Sequence, residues 1–295
     1  MQSLVPINKK QLHEREGSSS NPPSGGRGAF LLHLADTNLI LAQRNAEWCG
    51  HGPILEQDIA ITNISLDLLG QARNFYQYAA EVINREDIQN MKAPKASPFG
   101  GGLEGASEDT LAYLRTEREF KNLLITELPK SDWAQTILRQ FLYSVYQYQL
   151  YEQLQKSDDR QLAAIAEKSI KEVAYHVKWS SEWVIRLGDG TDESHQRMLK
   201  ALENLWPYTG EFFIPEDYEN EDTIGFDLNS LKQPWLIRVD AILKEATLLS
   251  PSFGGGQGEA IFMHTGGKQG IHTEHMGFIL AEMQYLQRMY PGAEW

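Results

Sequence analysis

Four polar side chains could form one layer inside a helical bundle, because their distances from two predicted turns match. Asp36 lies 15 residues before a turn near residue 51, and Asp67 lies 16 residues after it. Ser144 and His176 each lie 16 residues from a second turn near residue 160. At about 1.5 Å rise per residue, the members of each pair should face one another across antiparallel helices. Asp36 and Asp67 interrupt apolar stripes, where an acid is costly to bury unless it is paired.

This layer matches part of the ferritin-like di-iron plan, in which two helices each give a carboxylate and two each give Glu-x-x-His. Asp36, Asp67 and His176 fill three of the six ligand positions. The positions without a ligand side chain are Gly70, Ser144 and Val173. Two iron ions need bridging carboxylates, so the sequence predicts a vestigial site without metal. Either a buried hydrogen-bonded network or a weak mononuclear metal site is compatible with the remaining three residues.

Apolar residues recur with helical spacing along most of the chain. The predicted helices span 30–48, 54–83, 107–128, 131–155, 161–187, 193–206, 234–249 and 272–289. Ser107 and Ser131 are the predicted N-caps of the third and fourth helices. No stretch alternates as a strand would, so the predicted fold is an all-α, ferritin-like bundle with additional helices and a long Pro- and Gly-rich crossover over 93–105. Residues 1–28 are predicted to be a disordered tail, and 29–295 a single domain.

Composition narrows the classes of function. The 295 residues carry 27 Lys and Arg against 40 Asp and Glu, a formal charge of −13. We expect no nucleic-acid partner, because such a partner requires a basic stripe. Cys49 is the single cysteine, and the chain has neither a signal-peptide core nor an uncharged apolar run of about 18 residues. These features predict a cytoplasmic protein with no membrane partner.

Two C-terminal motifs allow further hypotheses. His272 and His275 share a helix face and could bind a metal, although helix capping or a subunit interface would use the same spacing. The glycine-rich segment 265–270 places Lys268 where it could contact phosphate or coenzyme A. A hinge before the last helix is the alternative for this segment.

Long blocks of the sequence carry a family resemblance. They read NAEWCGHGPILEQDIAITNISLDLLGQARNFYQYAAE, TEREFKNLL, AIAEKSIKEVAYHVKWSSEWVIRLGDGTDES and TGGKQGIHTEHMGFILAEMQYLQRMYPGAEW. From about residue 29 to the C-terminus, the chain resembles the C subunits of bacterial phenylacetyl-CoA epoxidases. The resemblance implies a ferritin-like fold without a cofactor of its own, paired with a homologous catalytic subunit that holds the di-iron centre. It also implies a non-catalytic structural subunit of a multicomponent oxygenase, with further subunits and a reductase, in aerobic phenylacetate degradation.

Two other functions remain open at the level of sequence. An autonomous metal-dependent oxygenase or oxidase would use Asp36, Asp67 and His176. A coenzyme A thioester-binding subunit would act through Lys268. The seven tryptophans and twelve tyrosines provide material for an apolar subunit interface without locating it.

Overall fold

The computed structural model describes residues 26–89, 105–249, 262–290 and 293, and these residues contain helices but no β-strand. In chain order, the helices are α1 (Gly26–Ala46), α2 (Leu55–Gln89), α3 (Glu108–Tyr113), α4 (Trp133–Leu154), α5 (Arg160–Gly188), α6 (Asp192–Leu205), α7 (Glu221–Ile224), α8 (Lys232–Glu245), α9 (Glu274–Met283) and α10 (Tyr285–Met289). Short 3₁₀ turns connect several of them. The all-α prediction is confirmed.

Four long helices form the ferritin-like bundle. Helix α1 packs along α2, α4 packs along α5, and α2 also contacts α5. The helices α6 and α8 pack against α4 and α5. Fully buried apolar side chains fill the space between the bundle helices: Leu31, Ile40, Ile64, Leu68, Phe141, Val145, Val173 and Val177. None of the described helices is both long enough and apolar enough to cross a membrane.

The helix boundaries follow local capping chemistry. Ser107 caps α3 as predicted, and its hydroxyl accepts a hydrogen bond from the amide of Thr110. The predicted cap of α4 is wrong by one residue, because Asp132 accepts from the amide of Gln135 at 2.9 Å. Ser131 has a φ of 52° and lies in the turn before the cap. The carboxylate of Asp132 therefore satisfies an amide at the start of α4 that has no partner within the helix.

The predicted helix over 107–128 is wrong beyond Tyr113. There α3 ends, and the chain continues through 3₁₀ turns at Glu117–Glu119 and Leu124–Thr126. Side chains replace the helical acceptors, since the amide of Lys121 donates to Asp36 at 2.8 Å. This segment packs against α1 instead of extending α3.

Two other predictions concern the N-terminal tail and the crossover, which the structure describes only in part. Helix α1 begins at Gly26, so residues 26–28, which the sequence assigned to the tail, are helical. The remainder of the predicted tail, residues 1–25, lies outside the described residues. So does most of the predicted crossover, over 93–104.

Candidate functional site

Asp36 lies in an ion pair between α1 and the segment that follows α3. Its side chain is fully buried, and the guanidinium of Arg115 binds both carboxylate oxygens. Tyr76 of α2 donates its hydroxyl to Oδ1 at 2.5 Å, and the amide of Lys121 donates to Oδ2. Burial, together with the adjacent carboxylate, holds the pKa of Tyr76 well above its ordinary value. These donors occupy the lone pairs of Asp36, so none remains for a metal ion.

Asp67 pairs with His176 between α2 and α5, which confirms this part of the predicted network. Nε2 of His176 lies 3.0 Å from Oδ2 of Asp67. His176 is fully buried, whereas 33% of the Asp67 side chain is exposed. One turn further along α2, Gln71 donates to Glu172 of α5 at 2.9 Å, so two successive polar contacts join these helices.

The predicted contact between Asp36 and Asp67 is wrong. Equal residue counts from a turn predict equal height on two helices, but they do not fix the rotation of either helix about its axis. Asp67 contacts α5, and it is Tyr76, nine residues later on α2, that reaches Asp36. The predicted ligands therefore divide between two clusters. Among the described residues, no group of three or more His, Cys, Asp or Glu side chains could hold a metal ion.

A second set of polar side chains does meet at one depth in the bundle. Gln147 of α4 donates to Asn38 of α1 at 2.7 Å and to Gln71 of α2 at 3.0 Å. Tyr151 accepts from Asn38 and donates to Gln71, each at 3.2 Å. Glu172 completes the set from α5 through its bond to Gln71. We call Asn38, Gln71, Gln147 and Tyr151 the amide layer; all four are buried.

The amide layer does not fit a di-iron centre. Together with Glu172, the layer involves all four bundle helices, as in the di-iron plan, but Glu172 is the only carboxylate and there is no histidine. Neutral amides cannot balance the charge of two iron ions as bridging carboxylates do. The amides instead bond to one another, and burial raises the pKa of Tyr151, which keeps its hydroxyl neutral. The set is a hydrogen-bonded network that joins the bundle helices.

The three positions assigned to lost ligands have different surroundings. Gly70 is exposed, with no atom within 4 Å of where a Cβ would be, so the prediction that it marks an interior ligand slot is wrong. Ser144 is buried and accepts from Gln140 at 2.8 Å, which in turn accepts from Asn45. Val173 is buried in the apolar core. Whether the bundle descends from a metal-binding ancestor stays a prediction.

Sequence reasoning missed the amide layer because it searched for ionisable side chains. The available signal was a set of amides within apolar helix faces, since Asn38, Gln71 and Gln147 all lie among buried neighbours. Glu172, the carboxylate beside these amides, is half-buried against Gln71. Neutral amides carry no metal signature, so this pattern alone did not identify a site.

A second polar region binds the C-terminal segment 264–273 to the bundle. We call Glu127, Glu211 and Glu219, with their partners on this segment, the C-terminal clasp. Glu211 accepts hydrogen bonds from the amides of Gly266 and Gly267 at 2.9 and 2.8 Å. Its other oxygen accepts from an amide of the segment after α3, so one carboxylate joins two irregular stretches of chain.

Lys268 is buried in the clasp. Its Nζ lies 3.0 and 2.9 Å from the two carboxylate oxygens of Glu219 and donates to the carbonyl of Ile214. Nε2 of His33 is 3.6 Å from Glu219, and burial lowers the pKa of His33 although Glu219 opposes this effect. The Lys268 ammonium therefore binds a carboxylate inside the protein, which does not favour the predicted contact with phosphate or coenzyme A.

His272 forms the other half of the clasp. Its Nδ1 lies 2.6 Å from Glu127, and its Nε2 lies 3.1 Å from the carbonyl oxygen of Phe120. Burial lowers the pKa of His272, but the hydrogen bond and charge of Glu127 outweigh this, so the pKa is raised. Thr273, not His272, caps α9. His272 is an ion-pair partner of Glu127, and no metal site with His275 is present among the described residues.

Comparison with known proteins gives the family. The family model described as "Phenylacetic acid catabolic protein" matches residues 22–295. The chain belongs to this family. It is also 45% identical over 270 residues to the C subunit of 1,2-phenylacetyl-CoA epoxidase from Escherichia coli (strain K12), a match that covers 90% of this chain and 98% of that protein. Because the match extends along nearly the whole of both chains, the resemblance seen in the sequence blocks is confirmed for this member of the phenylacetic acid catabolic protein family.

Proposed function

We propose that this chain is a non-catalytic structural subunit of a multicomponent epoxidase that acts on phenylacetyl-CoA. The observation that carries the proposal is the amide layer, in which neutral hydrogen bonds join α1, α2 and α4 inside the bundle, where a ferritin-like protein would place metal ligands. The similarity to the C subunit of an epoxidase supports the same function. A bundle whose helices are joined in this way contributes shape and rigidity to a complex.

The chemistry then belongs to a homologous di-iron catalytic subunit, with electrons delivered by a reductase. The contribution of this chain is to hold the helices of that subunit, and so its reacting groups, in position. Loss of such positioning by about 1 Å can lower turnover about 100-fold. We propose that the complex is cytoplasmic and acts without nucleic-acid or membrane partners, which the acidic composition supports.

The geometry does not favour either alternative. An autonomous oxygenase would need Asp36, Asp67 and His176 at one metal ion, but Asp36 is saturated by Arg115 and its neighbours, away from the other two. A coenzyme A carrier acting through Lys268 would need a free ammonium, and that ammonium is paired with Glu219.

Metal analysis of the purified chain tests the proposed absence of a di-iron centre. The chain, purified alone after growth with iron, should hold well under one iron per monomer and consume no oxygen with a reductant. A content close to two irons per chain would overturn the proposal, because an intact ferritin-like di-iron site binds two metal ions.

Reconstitution tests the supporting role. The catalytic subunit should turn over phenylacetyl-CoA faster with this chain than without it, and an unrelated acidic protein at the same concentration should have no effect. Full activity of the catalytic subunit alone, unchanged on addition of the chain, would contradict the proposed function.

A further inference from the structure

Helix α2 exposes an apolar stripe on the side opposite its core face. Leu55 is 71% exposed, Ile59 51%, Leu66 59% and Leu69 40%. With Thr62 and the exposed Arg73, these residues follow a spacing of four, three, four, three and four. We call these six residues the α2 seam; at about 1.5 Å per residue it is about 27 Å long.

This spacing is that of an a/d seam, which packs against another helix. The opposite face of α2 is already buried in the bundle through Ile61, Ile64 and Leu68. A helix that is apolar on both faces is stable in water only when both faces are covered. Gly70, exposed and with open space at its Cβ position, leaves a hole beside the seam that a side chain of a facing helix could fill.

Helix α5, which contacts α2, also exposes a large aromatic side chain. Tyr175 is 45% exposed and lies next to His176, which binds Asp67 of α2. Tyrosine is enriched where subunits meet, because its ring is apolar and its hydroxyl can bond at the rim. The two helices that carry this surface are thus fixed relative to each other by the Asp67 to His176 pair.

The charges beside the seam favour a different protein chain, rather than a second copy of this one, as the partner that covers it. Glu56 is exposed and Asp67 is one-third exposed, and both lie on the same edge of the seam. Two copies related by a two-fold axis would bring this acidic edge against itself. Each copy also carries a charge of −13, and a large net charge keeps proteins monomeric.

We propose that the α2 seam, together with Tyr175, is the surface that docks the homologous catalytic subunit, which presents an apolar helix with Lys or Arg along one edge. This inference rests on the proposed function and locates its interface. Helices of related bundles can pack antiparallel about a pseudo-two-fold axis, and the seam spacing reads the same in both directions. Layers of side chains can therefore align along the whole pair.

The test measures binding of the full chain to the catalytic subunit by titration. Leu66→Glu and Ile59→Glu should each weaken binding at least about 30-fold, the effect expected when a central interface residue is lost. Ile237→Glu is the matched control, since Ile237 of α8 is 62% exposed but isolated from the seam, and it should bind within about 3-fold of wild type. Unchanged melting curves show that each variant folds.

The outcomes separate this inference from the proposed function. Failure of the wild-type chain to bind the catalytic subunit overturns both. If the wild-type chain binds and Leu66→Glu and Ile59→Glu bind equally well, only the location of the interface is overturned. Light scattering shows whether this chain forms a dimer. If a seam variant loses such a dimer but still binds the catalytic subunit, the seam contacts a second copy, and the inference is overturned.

Discussion

The amide layer and the C-terminal clasp solve the burial of polar groups in different ways. The layer lies between long helices that already share extensive apolar contacts, and its core members Asn38, Gln71 and Gln147 are neutral. The clasp holds a segment of mostly irregular structure, and it uses carboxylates with Lys268 and His272. Ion pairs thus hold the irregular C-terminal segment, whereas mainly neutral hydrogen bonds join the long helices.

The energetic difference follows from desolvation. A neutral hydrogen bond contributes about 0.5 to 1.5 kcal/mol net, and leaving its neutral partner unsatisfied costs about 1 to 3 kcal/mol, less than leaving a charge unsatisfied. A buried ion pair gains little net energy over an apolar pair, but removal of one partner leaves an uncompensated charge. The clasp should therefore be the more sensitive of the two regions to single substitutions.

The largest effect is expected for Lys268→Met. The substitution keeps the apolar stem and removes the ammonium, which leaves the carboxylate of Glu219 buried beside a methyl group. The free energy of unfolding should fall by about 3 to 5 kcal/mol. Chemical denaturation measures the loss, and Lys244→Met at an exposed position of α8 is the control that should change by less than about 0.5 kcal/mol. Equal curves for both variants would show that the clasp is not a stabilising ion pair.

A smaller loss is expected for Gln147→Leu in the amide layer. The substitution removes the donor shared by Asn38 and Gln71 but leaves each oxygen a hydroxyl partner from a neighbouring tyrosine. Unfolding free energy should fall by about 1 to 3 kcal/mol. Gln77→Leu on the exposed side of α2 is the matched control. A Gln147→Leu loss larger than that of Lys268→Met would reverse the comparison between the two regions.

A gain is expected for Gly70→Ala. Gly70 lies within α2 with open space at its Cβ position, so alanine adds helix propensity without a clash. The isolated chain should gain about 0.5 to 1 kcal/mol of stability. If Gly70 were an interior position of the ligand layer, the added methyl group would not be accommodated so easily, and a thermal melt showing destabilisation would support that arrangement.

The smallest effect is expected from titration of the clasp. The pKa of His272 is raised in the folded protein, so its contribution to stability is fully present below the ordinary histidine pKa of about 6.5 and is lost as pH rises through the folded value. Unfolding measured between about pH 5 and 8 should show this loss in wild type, and His272→Gln should remove it.

His33 provides the contrast. Its pKa is lowered by burial, so its contribution is lost as pH falls below about 6.5. His33→Gln should therefore alter the acidic side of the same stability profile and leave the alkaline side as in wild type. If both substitutions changed the same side of the pH–stability profile, the opposite pKa shifts of the two histidines would be wrong.

Much of the bundle was predictable because helix formation is largely local. The spacing of apolar residues predicted α2, α4, α5 and α6 to within a few residues at most ends. The segment after α3 was not predictable in this way, since its amides and its Arg115 bond to side chains far along the chain. The seven tryptophans did not mark an interface either: those at 48, 179, 206 and 235 are buried.

The sequence by itself determined the helical class, the order of the long helices and the family resemblance, because periodicity and long matching blocks are properties of the chain alone. The tertiary structure decided which polar groups meet. It turned Asp67 toward His176, gave Asp36 to Arg115, and placed Gln147 between the amides of α1 and α2. The physical reason is that the apolar pattern fixes the inward face of each helix, whereas partners depend on the rotation and axial shift that packing of the whole bundle selects.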